Sequence, residues 1–197
     1  MARPIASDHG AKRAHILKSA ARVFAQAGVA RASMAQVAAG CGVSKANIYH
    51  YYDSKDALLF DILDSYLKAL RDRMQGLPLA DLPPPDRLGR ILAEVLHAYD
   101  GMDAEHKIQT EGIALLAEHQ QQILKGYQRD MVVQMSGVIA ACAPDLARDS
   151  AKLRATVMSV FGMLNWFYMW NAGADSDARR DYAQLMTRLT LVGLNGV

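Results

Sequence analysis

Residues 33–55 read SMAQVAAGCGVSKANIYHYYDSK. Ser33 stands three residues ahead of Gln36, the spacing of a capping box, and Met34, Val37 and Ala38 recur at helical intervals. The spacing predicts a helix over about Ser33 to Ala39. Gly40 and Gly42 end it, and Val43 plugs the turn. Ser44 can cap a second short helix whose inward face is Ile48 and Tyr52. Lys45, Ala46, Asn47, Tyr49 and His50 are left facing outward.

Two short helices joined by a tight turn form a helix-turn-helix, in which the second helix enters the major groove of DNA. The outward residues suit that task. Lys45 offers a cation to phosphate, Ala46 allows close approach or contact with a thymine methyl, and Asn47 both donates and accepts at a base edge. Tyr49 and His50 carry donors for phosphate oxygens. Lys55 sits at the start of the next helix, whose free N–H groups also attract phosphate. Ser33 and Ser44 join the expected DNA-binding set from the caps of the two helices. Spacing alone leaves a second reading open, since turn-linked helix pairs are also ordinary units of all-α packing.

With its flanks, the stretch resembles the DNA-binding domain of the TetR (tetracycline-repressor) family of bacterial regulators. The resemblance runs from Ile16-Leu17 through Ala20-Ala21, Phe24 and Gly28, then Ser33-Met34, Val37-Ala38, Gly42-Val43-Ser44-Lys45 and Ile48-Tyr49. It continues to Tyr52, Ser54-Lys55-Asp56 and Leu58. Ala32, Cys41, Ala46 and Tyr52 depart from the usual threonine, alanine, glycine and phenylalanine. The resemblance implies an all-α protein with an N-terminal helix-turn-helix head and a C-terminal helical body that binds a ligand and dimerises. It also implies a homodimer on a palindromic operator, since one recognition helix covers a half-site and two must stand about 34–36 Å apart.

Charge is distributed to match. Residues 1–60 carry eight Lys/Arg and three acids, a net +5, so a chain of net +2 leaves −3 for the remainder. A basic end suits nucleic acid through Coulomb attraction and counterion release, although a solvated basic face is common. Cys41 and Cys142 are isolated and form no disulfide framework, as expected in a reducing cytoplasm. The N-terminus MARPIASDHG lacks the apolar core of a signal peptide. The apolar run Val157 to Trp170 is too short to span a bilayer. A cytoplasmic protein is expected.

Along the chain, residues 1–7 read as a loose arm and Asp8 to Ala27 as a helix stopped by Gly28. Asp53 with Asp56 reads as another capping box, opening an amphipathic helix to about Gln75 that belongs to both halves. On it, Asp61 and Asp64 with Lys68 read as a solvated ion-pair face. Gly76 to Asp86 (GLPLADLPPPD) is the clear linker. The expected domains are residues 1–55, the DNA-binding head, and 56–197, the ligand-binding and dimerisation body. In the body, helices are expected over Arg87–Tyr99, Ala104–Glu118, Gln120–Ala141, about Asp149–Asn171 and Asp177–Leu194. The last two can build a four-helix interface with a second subunit.

Met131, Met135, Met158, Phe161, Met163, Trp166, Phe167, Tyr168, Met169 and Trp170 form a methionine-rich and aromatic set with two readings. One is core and dimer interface; the other is an apolar effector pocket oriented by Asn165. The candidate ligand-binding residues are His97, Tyr99, Met131, Met135, Phe161, Asn165, Trp166, Met169 and Trp170. The run Gly162-Met163-Leu164-Asn165-Trp166 with Trp170 resembles a segment of TetR-family regulators of fatty-acid and other acyl-CoA breakdown. That resemblance implies an acyl-CoA effector, with Met169 where an arginine is frequent. Phosphates of such a ligand would then need other cations, with Lys107, Lys125 and Arg129 as candidates.

No GxSxG, P-loop or HExxH occurs, and the six histidines lack metal-ligand spacing around either cysteine. Neither enzyme, metal nor cofactor is expected. The sequence therefore reads as a DNA-binding transcriptional regulator, most simply a repressor released by an apolar effector. A multidrug or aromatic-compound sensor is the alternative within the class. A helical small-molecule-binding protein without a DNA role is the alternative outside it.

Overall fold

The structure, a computed structural model, describes residues 4–171 and 173–194, with side chains from residue 10 onward. Among the described residues it is built from helices without strands. In order these are α1 (Pro4–Ala27), α2 (Met34–Gly40), α3 (Lys45–Tyr51), α4 (Lys55–Gln75), α5 (Pro84–Ala98), α6 (Asp103–Gly112), α7 (Glu118–Cys142), α8 (Ser150–Trp170) and α9 (Ser176–Gly193). They fall into two compact units. The first runs through Leu67 and takes in Ala104–Leu124; the second comprises Lys68–Asp103 and the chain from Lys125.

In the first unit α1 packs on α2, and α2 on α3. The capping box forms as its spacing predicts. Ser33 Oγ accepts from the Gln36 N–H at 3.2 Å, and the Ser33 N–H donates to Gln36 Oε1 at 2.8 Å. Gly42 then turns the chain at φ +67°, a left-handed conformation that costs a residue with a Cβ more than a glycine. Ile16, Ala20, Ala21, Phe24, Val37, Ala38, Ile48, Leu58, Leu59, Ile62 and Leu63 are buried together as the core. Burying each large aliphatic or aromatic side chain contributes about 1.5–3 kcal/mol, which is how a seven-residue α3 persists as a helix.

Two local expectations are corrected. The chain is helical from Pro4 rather than loose to residue 7; residues 1–3 lie outside the described residues. The cap of α4 is Ser54, whose Oγ accepts from the Ala57 N–H at 3.0 Å, and not Asp53. Three-residue spacing fits both pairs, and Ser54 is the residue directly before the first helical position.

In the second unit α5 buries Leu88, Ile91, Leu92, Val95 and Leu96 and packs on α8 and α9. It begins at Pro84, inside the stretch expected as linker, because a first-turn proline surrenders only an N–H that has no helical partner. Asp149 caps α8 by accepting from the Ala151 and Lys152 N–H groups, and Asp175 caps α9 through the Ala178 N–H. The single helix expected over Ala104–Glu118 is α6 followed by a 3-10 turn, Ile113–Leu115. Among the described residues no helix is long and apolar enough to cross a membrane.

Candidate nucleic-acid interface and interior polar pair

Ser44 Oγ accepts from the Asn47 N–H at 3.1 Å, closing the first turn of α3 and fixing which way the helix points. Ile48 on its inward side is fully buried. Ser44, Lys45, Ala46, Asn47, Tyr49 and His50 are all exposed on the outward side. Lys45 Nζ stands 6.0 Å from the centroid of the Tyr49 ring, one turn along the same face. Ser33 is exposed too, with its hydroxyl engaged in the α2 capping box. The arrangement is a polar, cationic helix face carried on an apolar brace.

Lys55 is held differently from the phosphate contact expected of it. Its ammonium donates to the carbonyls of Val29, Ala30 and Ala32 at 3.0, 3.0 and 3.3 Å. It thereby satisfies the chain between α1 and α2, a structural duty that sequence spacing cannot reveal.

Three further contacts fix α3 and were not legible beforehand. Asp61 on α4 accepts from the guanidinium of Arg13 on α1, with Arg13 Nε at 3.0 Å, and from the Tyr52 hydroxyl at 2.5 Å. Asp61 is thus a tie between α1, the end of α3 and α4, not part of the solvated face expected with Asp64 and Lys68. Burial, then the bond to Asp61, pushes the Tyr52 phenol well above its ordinary range. The one available signal was Tyr52 itself, a hydroxyl where the family pattern usually has phenylalanine. On the other side, His15 Nε2 lies 3.1 Å from the Cys41 carbonyl in the turn. Burial raises the Cys41 thiol, which packs as a small apolar group.

The expected effector residues divide. Tyr99, at the end of α5, is buried and donates to Asn165 Oδ1 on α8 at 2.7 Å. Met131, Met135 and Phe161 are buried. Trp166, Met169 and Trp170 are 63, 53 and 56% exposed, so they do not line an enclosed cavity within the chain. Those three turn outward with Met158 on α8, and Leu185, Leu189 and Val192 are exposed on α9. His97 is exposed on α5, away from its neighbour Tyr99. Lys107, Lys125 and Arg129 are exposed.

Burial raises the Tyr99 phenol, which sets the sign of an alkaline effect. In the unfolded chain a tyrosine ionises near pH 10, whereas the folded form resists. The stability this adds is complete below about pH 10 and is lost as pH climbs through the folded value. Tyr99→Phe should therefore reduce the alkaline slope of Tm against pH, Tyr52 keeping its own share. An unchanged slope would show that Tyr99 ionises freely in the folded chain.

The outward α3 face and its buried brace define the class of helix-turn-helix transcriptional regulators. Residues 16–62 match the family model of bacterial regulatory proteins, tetR family, and residues 81–194 match the tetracyclin repressor-like C-terminal domain. The second match alone spans more than half the chain, and the chain belongs to the tetR family. A crystal structure of a TetR-family transcriptional regulator from Bordetella parapertussis 12822 is 28% identical with a TM-score of 0.85. It covers 91% of this chain and 93% of its own. The repressor KstR2 of Rhodococcus jostii (strain RHA1) is 28% identical over 100 residues, 51% of this chain and 48% of its own length. The crystal structure of AibR in complex with isovaleryl coenzyme A and operator DNA is 20% identical with a TM-score of 0.71. It covers 88% of this chain and 97% of that one, a likeness of fold. The chain spans less than half the length of the curated relatives it matches. These relatives are named as transcriptional regulators, in keeping with the non-enzymatic reading.

Proposed function

We propose that this chain is a homodimeric repressor that binds a palindromic operator and is released by an apolar effector of the acyl-CoA class. The observation that carries the DNA half is the α3 face, with Lys45, Asn47, Tyr49 and His50 exposed above a fully buried Ile48. The functional boundary is placed at residue 55: the head ends as α4 begins, and residues 56–197 form the effector and dimerisation body. Exposed Trp166, Met169, Trp170, Leu185, Leu189 and Val192 supply an apolar surface for the second subunit. Buried Tyr99 and half-buried Asn165 supply a polar pair for the effector, with the buried Met131, Met135 and Phe161 as apolar residues beside it in the proposal. AibR, whose crystal structure is in complex with isovaleryl coenzyme A and operator DNA, shares the fold.

Within the first unit α6 bears directly on α1 and α4. Its Glu105 pairs with Lys18 of α1 at 3.5 Å, and its His106 Nδ1 lies 2.9 Å from the Tyr66 hydroxyl on α4. Gly112, at its end, packs so closely on α4 that an added Cβ would meet Leu59 Cδ1 at 3.3 Å. An effector preferring one position of α6 and α4 would bias the head. Coupling of about 1–3 kcal/mol is typical.

Gel shift on the gene's own upstream DNA, with and without acyl-CoAs, tests the whole reading. No shift at low salt in any ligand state would overturn it. Thermal shift with acyl-CoAs against free hydrophobic compounds separates the acyl-CoA sensor from a multidrug sensor. The phosphate assignments have their own test. Lys45→Ala should weaken binding to all DNA and reduce the salt slope by about one, whereas Lys55→Met should leave the slope intact and lower Tm instead. Equal slope changes in both variants would refute the division between them. Asn47→Ala should narrow the affinity ratio between operator and random DNA by about 1–3 kcal/mol, and an unchanged ratio removes it from base reading.

A further inference from the structure

A trough of about 710 Å³ runs between α5 and α9, within the range of small-molecule sites. Leu82, Pro85, Ala93 and Ala183 give it apolar walls, and Arg90, Arg180 and Arg188 line it with cations. Among the described residues Arg90 and Arg188 engage in no hydrogen bond or ion pair, whereas Arg180 pairs with exposed Asp177 at 3.0 Å and lies 3.9 Å from Asp181. A second hollow of about 340 Å³ shares Arg90, Ala93 and Arg180 and adds Arg179. The Arg179 guanidinium is buried and fixed by the Leu96 and Ala174 carbonyls at 3.1 and 3.2 Å and by Asp100 at 3.4 Å. Its charge therefore stays in the floor. Four arginines and two acids, Asp86 and Glu94, line the two hollows; Glu94 is held by Arg73 at 2.6 Å, Arg179 is paired with Asp100 and Arg180 with Asp177, which leaves Arg90 and Arg188, among the described residues, as the unpaired cations there. Two unpaired guanidinium groups on one trough stand out in the part of the chain whose net charge is −3.

Most of the trough lies away from the surface assigned to the second subunit. At about 100° per residue, Arg180, Gln184 and Thr187 lie on one flank of the buried α9 face of Arg179, Ala183, Met186 and Thr190. Leu185, Leu189 and Val192 lie on the other flank, and Arg188 falls between the two, one turn from Leu185 and Val192. Neither Tyr99 nor Asn165 lines the trough.

We infer that the α5–α9 trough is a second small-molecule site, which takes an oxyanion, carboxylate or phosphate, borne on a short apolar chain. Free guanidinium groups at its rim present planar donor forks to the oxyanion, and the proline and aliphatic walls take the chain.

Titration calorimetry at low salt on the full chain, with octanoate, octyl phosphate and octanol, tests this without DNA and so independently of the regulator reading. One anion site per chain is expected, with octanol at least tenfold weaker; the tighter of the two anions identifies the source. Arg90→Gln and Arg188→Gln should each weaken anion binding by about tenfold while leaving the circular dichroism unchanged. Asn165→Leu should leave it intact. Octanol binding as tightly as the anions, arginine variants binding like the parent, or loss of binding in Asn165→Leu would each overturn the assignment.

Discussion

Ile48→Ala is expected to destabilise the protein by about 2–5 kcal/mol and to abolish DNA binding before any outward residue of α3 is touched. Ile48 is fully buried and is the only buried residue of its seven-residue helix. Truncation removes its transfer energy and leaves a cavity between short helices that have few other contacts to compensate. A helix this short is not stable by propensity, so its loss of packing is loss of the reading surface. Chemical denaturation should show the stability change, and a gel shift the loss of complex. A variant that keeps both the parent midpoint and parent affinity would mean that α3 is held from elsewhere.

Asp61→Ala should have the second largest effect, about 2 kcal/mol in stability. The Tyr52 hydroxyl, on a buried residue, loses its acceptor at 2.5 Å, and leaving a buried donor unpaired costs about 1–3 kcal/mol. Arg13 adds little to that figure, because its side chain is 45% exposed and solvent screens the pair. The double variant Asp61→Ala with Tyr52→Phe should recover most of the loss, since it removes the orphaned donor as well. Denaturation midpoints of the four proteins in this cycle decide the matter, and additive losses would show that the two side chains act separately. Operator affinity should follow the same order, because the tie fixes where α3 ends.

The helix-turn-helix was legible because its signals are local. A capping box, a glycine free to turn left-handed and apolar residues at helical spacing all operate within a few residues of one another. Ser33, Gly42, Ser44 and Ile48 accordingly hold the positions their spacing implies. The helices of the body were legible for the same reason, with boundaries slipping where proline entered the first turn of α5 or where α6 tightened into a 3-10 turn. Side-chain duty was less legible. Arg179 and Arg180 are adjacent and chemically identical, yet one is 5% exposed and the other lines a trough.

What the sequence by itself determined is the all-α class, the reading helix and its outward residues, since hydrogen-bonding reach and helical period are properties of the chain. Only the tertiary structure decided that Lys55 serves three carbonyls and Asp61 ties three helices together. It alone turned Trp166, Met169 and Trp170 outward and gathered arginines between α5 and α9. Those outcomes depend on partners up to about a hundred residues away in sequence, and burial and charge pairing are set by whichever surfaces packing brings together.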